Sequence, residues 1–266
     1  MAMEKIKQAL DKVRAGARGP DAGAMGRGPL RDGESITYSQ TNSARADPRA
    51  LKQHLVRDGL VNDPATTAYK ILRTQVEQRM AAKGWNTLAI TSASAGAGKT
   101  ATAVNLSMAI AREVHRTVLL ADLDLRRPSV HRFFGLNPQH GIIDFLLDDL
   151  PISDILIHPG IDHLVILSGG QVVANSSEIL ASPRMVDLVD DLKQRHSSRI
   201  VVFDLPPLLS SDDTLAFAPY VDCVLLVVED GATTKEELAA ATELLANANV
   251  LGTVLNRSRE QQPVYF

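Results

Sequence analysis

The chain has 266 residues, 45% of them hydrophobic and 22% charged. That is ordinary globular composition, with room for one or two domains and a sizeable core. Its 28 Lys and Arg against 31 Asp and Glu give a net charge of −3, a balance that points neither to nucleic acid nor to a membrane surface. The longest aliphatic runs, such as Val224 to Val228, fall far short of the roughly 20 apolar residues of a membrane helix, and a lone Cys223 forms no intrachain disulfide. These features argue against a membrane-spanning, disulfide-stapled or collagen-like protein. With no apolar signal core at the N-terminus, a cytoplasmic chain is the expectation.

Residues 1–63 hold 11 Lys and Arg against 8 Asp and Glu, whereas the remaining 203 hold 17 against 23. Residues 3–14 place Ile6, Leu10 and Val13 at helical spacing among lysines, as a surface helix or a docking helix. Residues 15–50 are rich in Gly and Pro with no hydrophobic period, so 1–63 reads as an N-terminal helix and a flexible linker. Residues 65–82 read as a helix with Ala68, Ile71, Leu72, Val76 and Met80 on one face. Apolar runs then alternate with helical segments. The runs are 87–93, 117–121, 164–167, 200–203, 221–228 and 250–255; the helices fall near 99–113, 176–195 and 233–247. Strands apolar on both faces and alternating with helices predict an α/β domain over 64–257, a mostly parallel central sheet flanked by helices on both faces. Residues 258–266 remain as a mobile tail.

The segment from Thr91 to Thr100, TSASAGAGKT, follows the first predicted strand and opens a helix. It fits a phosphate loop of the form A/G-x4-G-K-S/T, with Ala93 first and Gly98, Lys99 and Thr100 last. Small residues let the backbone N–H groups of Ser94, Ala95, Gly96, Ala97 and Gly98 wrap a phosphate chain. The first turn, Lys99, Thr100 and Ala101, adds the positive end of a helix dipole. Lys99 is placed to reach the β- and γ-phosphates, and the Thr100 hydroxyl to ligate Mg²⁺.

Two further strands end in carboxylates. Asp122 and Asp124 stand two apart after Leu119 to Ala121, on one side of an extended backbone. Such a pair at the C-terminal edge of a sheet requires a cation or a shared proton, which makes both candidates for Mg²⁺ coordination and general-base work. The alternative is that one caps the next turn and the other pairs with Arg126 or Arg127. Asp204 after Ile200 to Phe203, followed by Pro206 and Pro207, fits a second metal-holding carboxylate. Asp212 and Asp213 read as metal-shell groups or, more simply, as the N-cap of a helix near Thr214. Asn256 and Arg257 end the last strand, where they either meet the adenine or form an exit turn. No histidine spacing indicates a metal site.

In this order, LLADLDLRRPSVHRFFG (119–135), NSSEILASPRMVDLVDDLKQR (175–195) and VVFDLPPLLSSDD (201–213) resemble the cytoplasmic P-loop catalytic domain of the bacterial tyrosine autokinases of polysaccharide synthesis and export. The resemblance covers about 65–257. It implies that Lys99 and Thr100 hold ATP and Mg²⁺, that Asp122 and Asp124 orient the metal and activate a tyrosine hydroxyl, that Asp204 completes the metal shell, and that Arg126 stabilises charge. It also implies self-association and a separate membrane-embedded chain-length regulator, which would hold the chain at the inner face of the plasma membrane.

Two features depart from that family. Its members end in a tyrosine cluster, but of the four tyrosines here only Tyr265 lies in the tail, as a single phosphoacceptor or a packing residue. Its ring-forming helix motif, acidic–aromatic–Arg, reads here Thr67, Tyr69, Lys70 and then Arg73, without the glutamate. Two rival readings follow. One is a partitioning-type ATPase, whose early phosphate-loop lysine is replaced here by Ser94. The other is a nucleotide-dependent scaffold that switches an export component with little kinase activity.

Overall fold

The computed structural model describes residues 41–57, 63–196 and 198–258; residues 3–14, all of 15–40 and the tail with Tyr265 lie outside them. Strand β1 (Asn42–Ser43) and helix α1 (Pro48–Gln53) lead into helix α2 (Pro64–Ala81), strand β2 (Thr87–Ser92), helix α3 (Lys99–Ala111) and strand β3 (Thr117–Asp122). Short helices α4 (Val130–Phe133), α5 (Ile142–Asp148) and α6 (Ile152–Ile155) precede strands β4 (Leu156–His158) and β5 (Leu164–Leu167). Helices α7 (Ser176–Leu180) and α8 (Pro183–Gln194), strand β6 (Arg199–Asp204), helix α9 (Asp213–Phe217), strand β7 (Cys223–Glu229), helix α10 (Lys235–Leu244) and strand β8 (Val250–Asn256) complete the order.

The eight strands form one sheet in the order β1-β4-β5-β3-β6-β2-β7-β8. Every pairing is parallel except β4 with β5. Because strand side chains alternate between faces, the central strands feed two cores. Ala89, Leu119, Ala121, Val201, Phe203, Val224 and Leu226 pack with Met185, Leu188, Val189 and Leu192 of α8 on one face. Leu88, Ile90, Leu120, Val202 and Leu225 pack with Val104, Leu106 and Ile110 of α3 and with Val76 and Met80 of α2 on the other. This is the flanked, mostly parallel sheet expected of those runs. Cys223 sits in the second core, where burial pushes its thiol up to about 12.

Four readings change. The segment expected as one helix over 176–195 is two, because Ser182 caps α8 through the Met185 N–H and Pro183 occupies its first turn. On α2 the inward face is Thr66, Val76 and Met80 with Leu72 partly covered, whereas Ile71 is 54% exposed and Ala68 is also at the surface. The five-residue stripe read from the sequence was therefore too wide. Strands β1 and β4 and the short helices carried no periodic signal. Residues 42–57, read as part of a linker, are folded onto the domain: Ala46 and Val56 are buried in the second core, Asp47 caps α1, and the Arg57 N–H donates to Asn105 Oδ1 on α3 at 2.7 Å.

Val56 packs against the sheet rather than facing water, so Val56→Ala is expected to lower stability by about 1–3 kcal/mol through lost burial and a residual void. Urea unfolding checks this, and an unchanged midpoint would show that residues 42–57 are not part of the cooperative unit.

Candidate active site

Strand order alone builds the site. β6 lies between β3 and β2, and its register sets Asp204 beside Asp122 on one side and Ile90 on the other. The C-terminal ends of these three strands therefore deliver the phosphate loop, Asp122 and Asp204 to one edge. The loop after β6 is then tied to the phosphate loop. Leu208 and Leu209 donate N–H groups to the Ser92 and Ala93 carbonyls, and the Thr91 and Thr214 hydroxyls both donate to the Pro206 carbonyl at 2.7 Å.

The phosphate loop itself turns through Gly96 at φ +91° and Gly98 at φ +89°, left-handed conformations that disfavour a side chain. A Cβ at Gly98 would also lie 2.2 Å from Asn256 Nδ2. That amide donates to the Ala97 carbonyl at 2.8 Å, so Asn256 braces the loop from β8. On the other limb the Ser94 hydroxyl donates to Glu237 Oε1 at 2.5 Å, and Glu237 in turn forms a capping box with Thr234 at the start of α10. Arg257, expected near the adenine, pairs with Glu229 at 2.6 Å.

At the mouth of the loop Lys99 Nζ stands 2.8 Å from Asp124 Oδ2 and 3.7 Å from Asp204 Oδ1. The Thr100 hydroxyl donates to Asp204 Oδ2 at 2.6 Å. Asp122 is fully buried, and its Oδ2 accepts the Ser129 and Val130 N–H groups at 2.7 and 2.9 Å. Asp124 Oδ1 accepts the Arg127 N–H. Lys99, Thr100, Asp122, Asp124 and Asp204 thus meet in one cluster. Burial, with Asp204 as a like charge beside it, pushes Asp122 up to about 7. Burial raises Asp204 as well, against the pull of Lys99 and the Thr100 hydroxyl. Burial works against the Lys99 charge too, yet Asp204 and Asp124 hold it above the ordinary lysine value.

Asp204 Oδ1 is buried without a hydrogen-bond partner. That orphaned oxygen beside a threonine hydroxyl is a hard, oxygen-only donor pair of the kind Mg²⁺ prefers when phosphates supply the other ligands. Among the described residues no cluster of three or more His, Cys, Asp or Glu is arranged to hold a metal unaided.

Arg126, expected to serve the cluster as a cation, is held from behind. Its Nε donates to Ser176 Oγ at 3.0 Å and to Asp213 Oδ2 at 3.2 Å. Asp213 is fully buried, and neither caps α9 nor joins the Asp122, Asp124 and Asp204 cluster; Asp212, the N-cap residue, makes no capping bond. Ser176 and Glu237 escaped sequence reasoning because their partners lie 50 and 143 residues away. On α2 the Thr67 hydroxyl donates to the Asp63 carbonyl, Lys70 is exposed, and Arg73 pairs within the chain with Glu113 at 2.9 Å and Glu77 at 3.7 Å.

The profile of a family described as "AAA domain" matches residues 85–251. The tyrosine-protein kinase YwqD of Bacillus subtilis (strain 168) is 33% identical over 190 residues, covering 71% of this chain and 79% of that protein. The tyrosine-protein kinase etk of Escherichia coli (strain K12) is 31% identical over 196 residues, 73% of this chain but 27% of its own length. The chain spans about a quarter of the length of several relatives it matches. Among solved structures, the chimerical protein CapA2B2 superposes with a TM-score of 0.71 at 28% identity, covering 82% of this chain and 94% of that one.

The Asp122 shift has a stability consequence in metal-free protein. The fold favours the protonated carboxyl, so its contribution is complete below the ordinary 3.8 and drains away as pH rises through about 7. Asp122→Asn is therefore expected to raise the melting temperature by roughly 3–6 °C at pH 8 in EDTA and by less than half as much at pH 5. Equal effects at both pH values would contradict the raised ionisation. Gly98→Ala, by contrast, is expected to cost roughly 1–2 kcal/mol from the left-handed backbone and to weaken binding of a fluorescent ATP analogue; retained binding would show that the Asn256 brace adapts.

Proposed function

The chain belongs to the bacterial tyrosine-kinase family of P-loop proteins, and from that premise we propose that it transfers the γ-phosphoryl group of ATP to protein tyrosine. The observation that carries the reading is the convergence of Lys99, Thr100, Asp122, Asp124 and Asp204 at one sheet edge behind a braced phosphate loop.

In this reading the N–H groups of residues 94–101 cradle the phosphates, with Asn256 keeping the loop open from behind. Lys99 leaves the carboxylates it now pairs with and follows the charge on the β- and γ-phosphates. Thr100, Asp204 and Asp122 hold Mg²⁺, which when bound neutralises phosphate charge. Asp124, with Asp122, receives the tyrosine proton as the phenolic oxygen bonds to phosphorus; the bond to the bridging oxygen breaks and ADP departs. Arg126 stabilises the equatorial charge. Tyr265 is the phosphoacceptor, and each added phosphate brings about −1.5 to −2 charges to the tail. The wider role is regulation of exopolysaccharide or capsule synthesis and export, through self-association and a separate membrane chain-length regulator. The likeness to the tyrosine-protein kinases YwqD and etk supports the kinase activity in this reading.

Purified protein is incubated with Mg·ATP beside Lys99→Met, followed by intact mass and phosphotyrosine mapping. The expected result is a gain of about one phosphate on Tyr265, absent in Lys99→Met and lost in Tyr265→Phe. ADP production without phosphotyrosine would replace this reading with a nucleotide-dependent switch, a role that the intrachain pairing of Arg73 on α2 also fits.

A further inference from the structure

We propose that Asp213 and Ser176 are positioning residues that fix the Arg126 guanidinium for phosphoryl transfer, an inference that rests on the kinase reading above. Arg126 stands two residues beyond Asp124, in the loop that joins β3 to α4. Its Nε meets Ser176 Oγ at 3.0 Å and Asp213 Oδ2 at 3.2 Å, and its Nη2 reaches Asp213 Oδ1 at 3.5 Å. The Ser176 hydroxyl donates to the same Asp213 Oδ2 at 2.8 Å. Asp213 and Ser176 have no exposed surface, whereas the Arg126 side chain is 44% exposed.

The asymmetry of that contact is what makes it a device. A guanidinium carries five N–H donors in a rigid plane. The inner edge is engaged by a buried carboxylate and a buried hydroxyl, which set both the position and the tilt of the plane. The remaining N–H groups take no part in that contact, and the side chain as a whole is partly exposed. A carboxylate with no access to water is tolerated only when a cation and further hydrogen bonds satisfy it, and Arg126 is the cation that Asp213 has. Ser176 opens α7 and Asp213 opens α9. One side chain therefore pins two short helices to the carboxylate loop, and those helices in turn hold the cation still. A transferring phosphoryl group spreads its charge over three equatorial oxygens, so a cation held in place before the reaction stabilises the transition state more than one that must be ordered during it. Lysine, a point charge on a flexible stem, does not reproduce the two-sided grip.

The test is a double-mutant cycle on the full chain, with Mg·ATP and a peptide matching residues 258–266 as acceptor. Asp213→Asn keeps volume and removes the charge; Arg126→Gln removes the cation; the double variant leaves no buried charge unpaired. Asp213→Asn is expected to lower kcat about tenfold or more with the KM for ATP and the binding of a fluorescent ATP analogue nearly unchanged. Ser176→Ala should lose less. The double variant should lose no more than Arg126→Gln alone, because Asp213 acts through Arg126. Losses that multiply in the double variant, a wild-type kcat in Asp213→Asn, or a loss matched by a fall in folded fraction would each overturn the proposal. If wild type releases ADP without phosphotyrosine, the kinase reading fails by itself and the same cycle is read on ADP release. A wild type with neither turnover removes the proposal together with that reading.

Discussion

Asp124 and Asp204 both close on the ammonium of Lys99, and Asp122, one strand away from Asp204, feels the same charge. Three carboxylates around one cation, with Asp122 and Asp204 fully buried, leave negative charge uncompensated. The protein meets that cost in several ways. It raises Asp122 and Asp204 toward protonation, spends two backbone N–H groups of the α4 turn on Asp122, and gives the Thr100 hydroxyl to Asp204. One oxygen, Asp204 Oδ1, is still left without a hydrogen bond. The cluster is thus poised to gain from an added cation. Nucleotide arriving with its metal would satisfy the carboxylates and draw Lys99 onto phosphate in the same event.

The sheet is the reason the charges stay together. Their repulsion would open a pliable surface loop, but Asp122 and Asp204 end adjacent parallel strands whose register is fixed by two apolar cores. A slip of one residue would exchange the faces of every core side chain. Hydrophobic packing therefore confines two buried carboxylates side by side, at a spacing electrostatics alone would refuse. The same logic operates at Asp213, where burial is sustained by Arg126 and would become an unpaired buried charge, costing about 3–5 kcal/mol, if Arg126 were removed.

What the sequence disclosed follows from where local chemistry suffices. Strands β2, β3, β5, β6 and β7 are buried on both faces or nearly so, and their apolar runs are visible for that reason. The glycines at 96 and 98 and the carboxylates at strand ends are likewise written in neighbouring residues. Residues 42–57 were not legible because only Ala46 and Val56 enter the core from a polar, proline-containing stretch. The role of Asp213 was hidden for a different reason: SSDDT has the look of a helix cap, and the arginine that claims the carboxylate lies 87 residues earlier. Long-range ion pairs leave no periodic trace.

The phosphate loop also bears on which relative of the fold this chain resembles in action. The partitioning-type reading calls for a lysine at the position of Ser94, which this sequence lacks. Here the Ser94 hydroxyl is bound inward to Glu237, and Glu237 is itself committed to the Thr234 cap of α10. A short hydroxyl engaged within its own chain cannot bridge to a neighbour's nucleotide. On α2, Arg73 is similarly engaged at home by Glu113 and Glu77. Lys70 is exposed, whereas Ser94 and Arg73 are thus both engaged within the chain. Any assembly of this chain at those positions must therefore exchange existing contacts for new ones, so assembly there would be governed by whatever competes for Glu237 or Glu113.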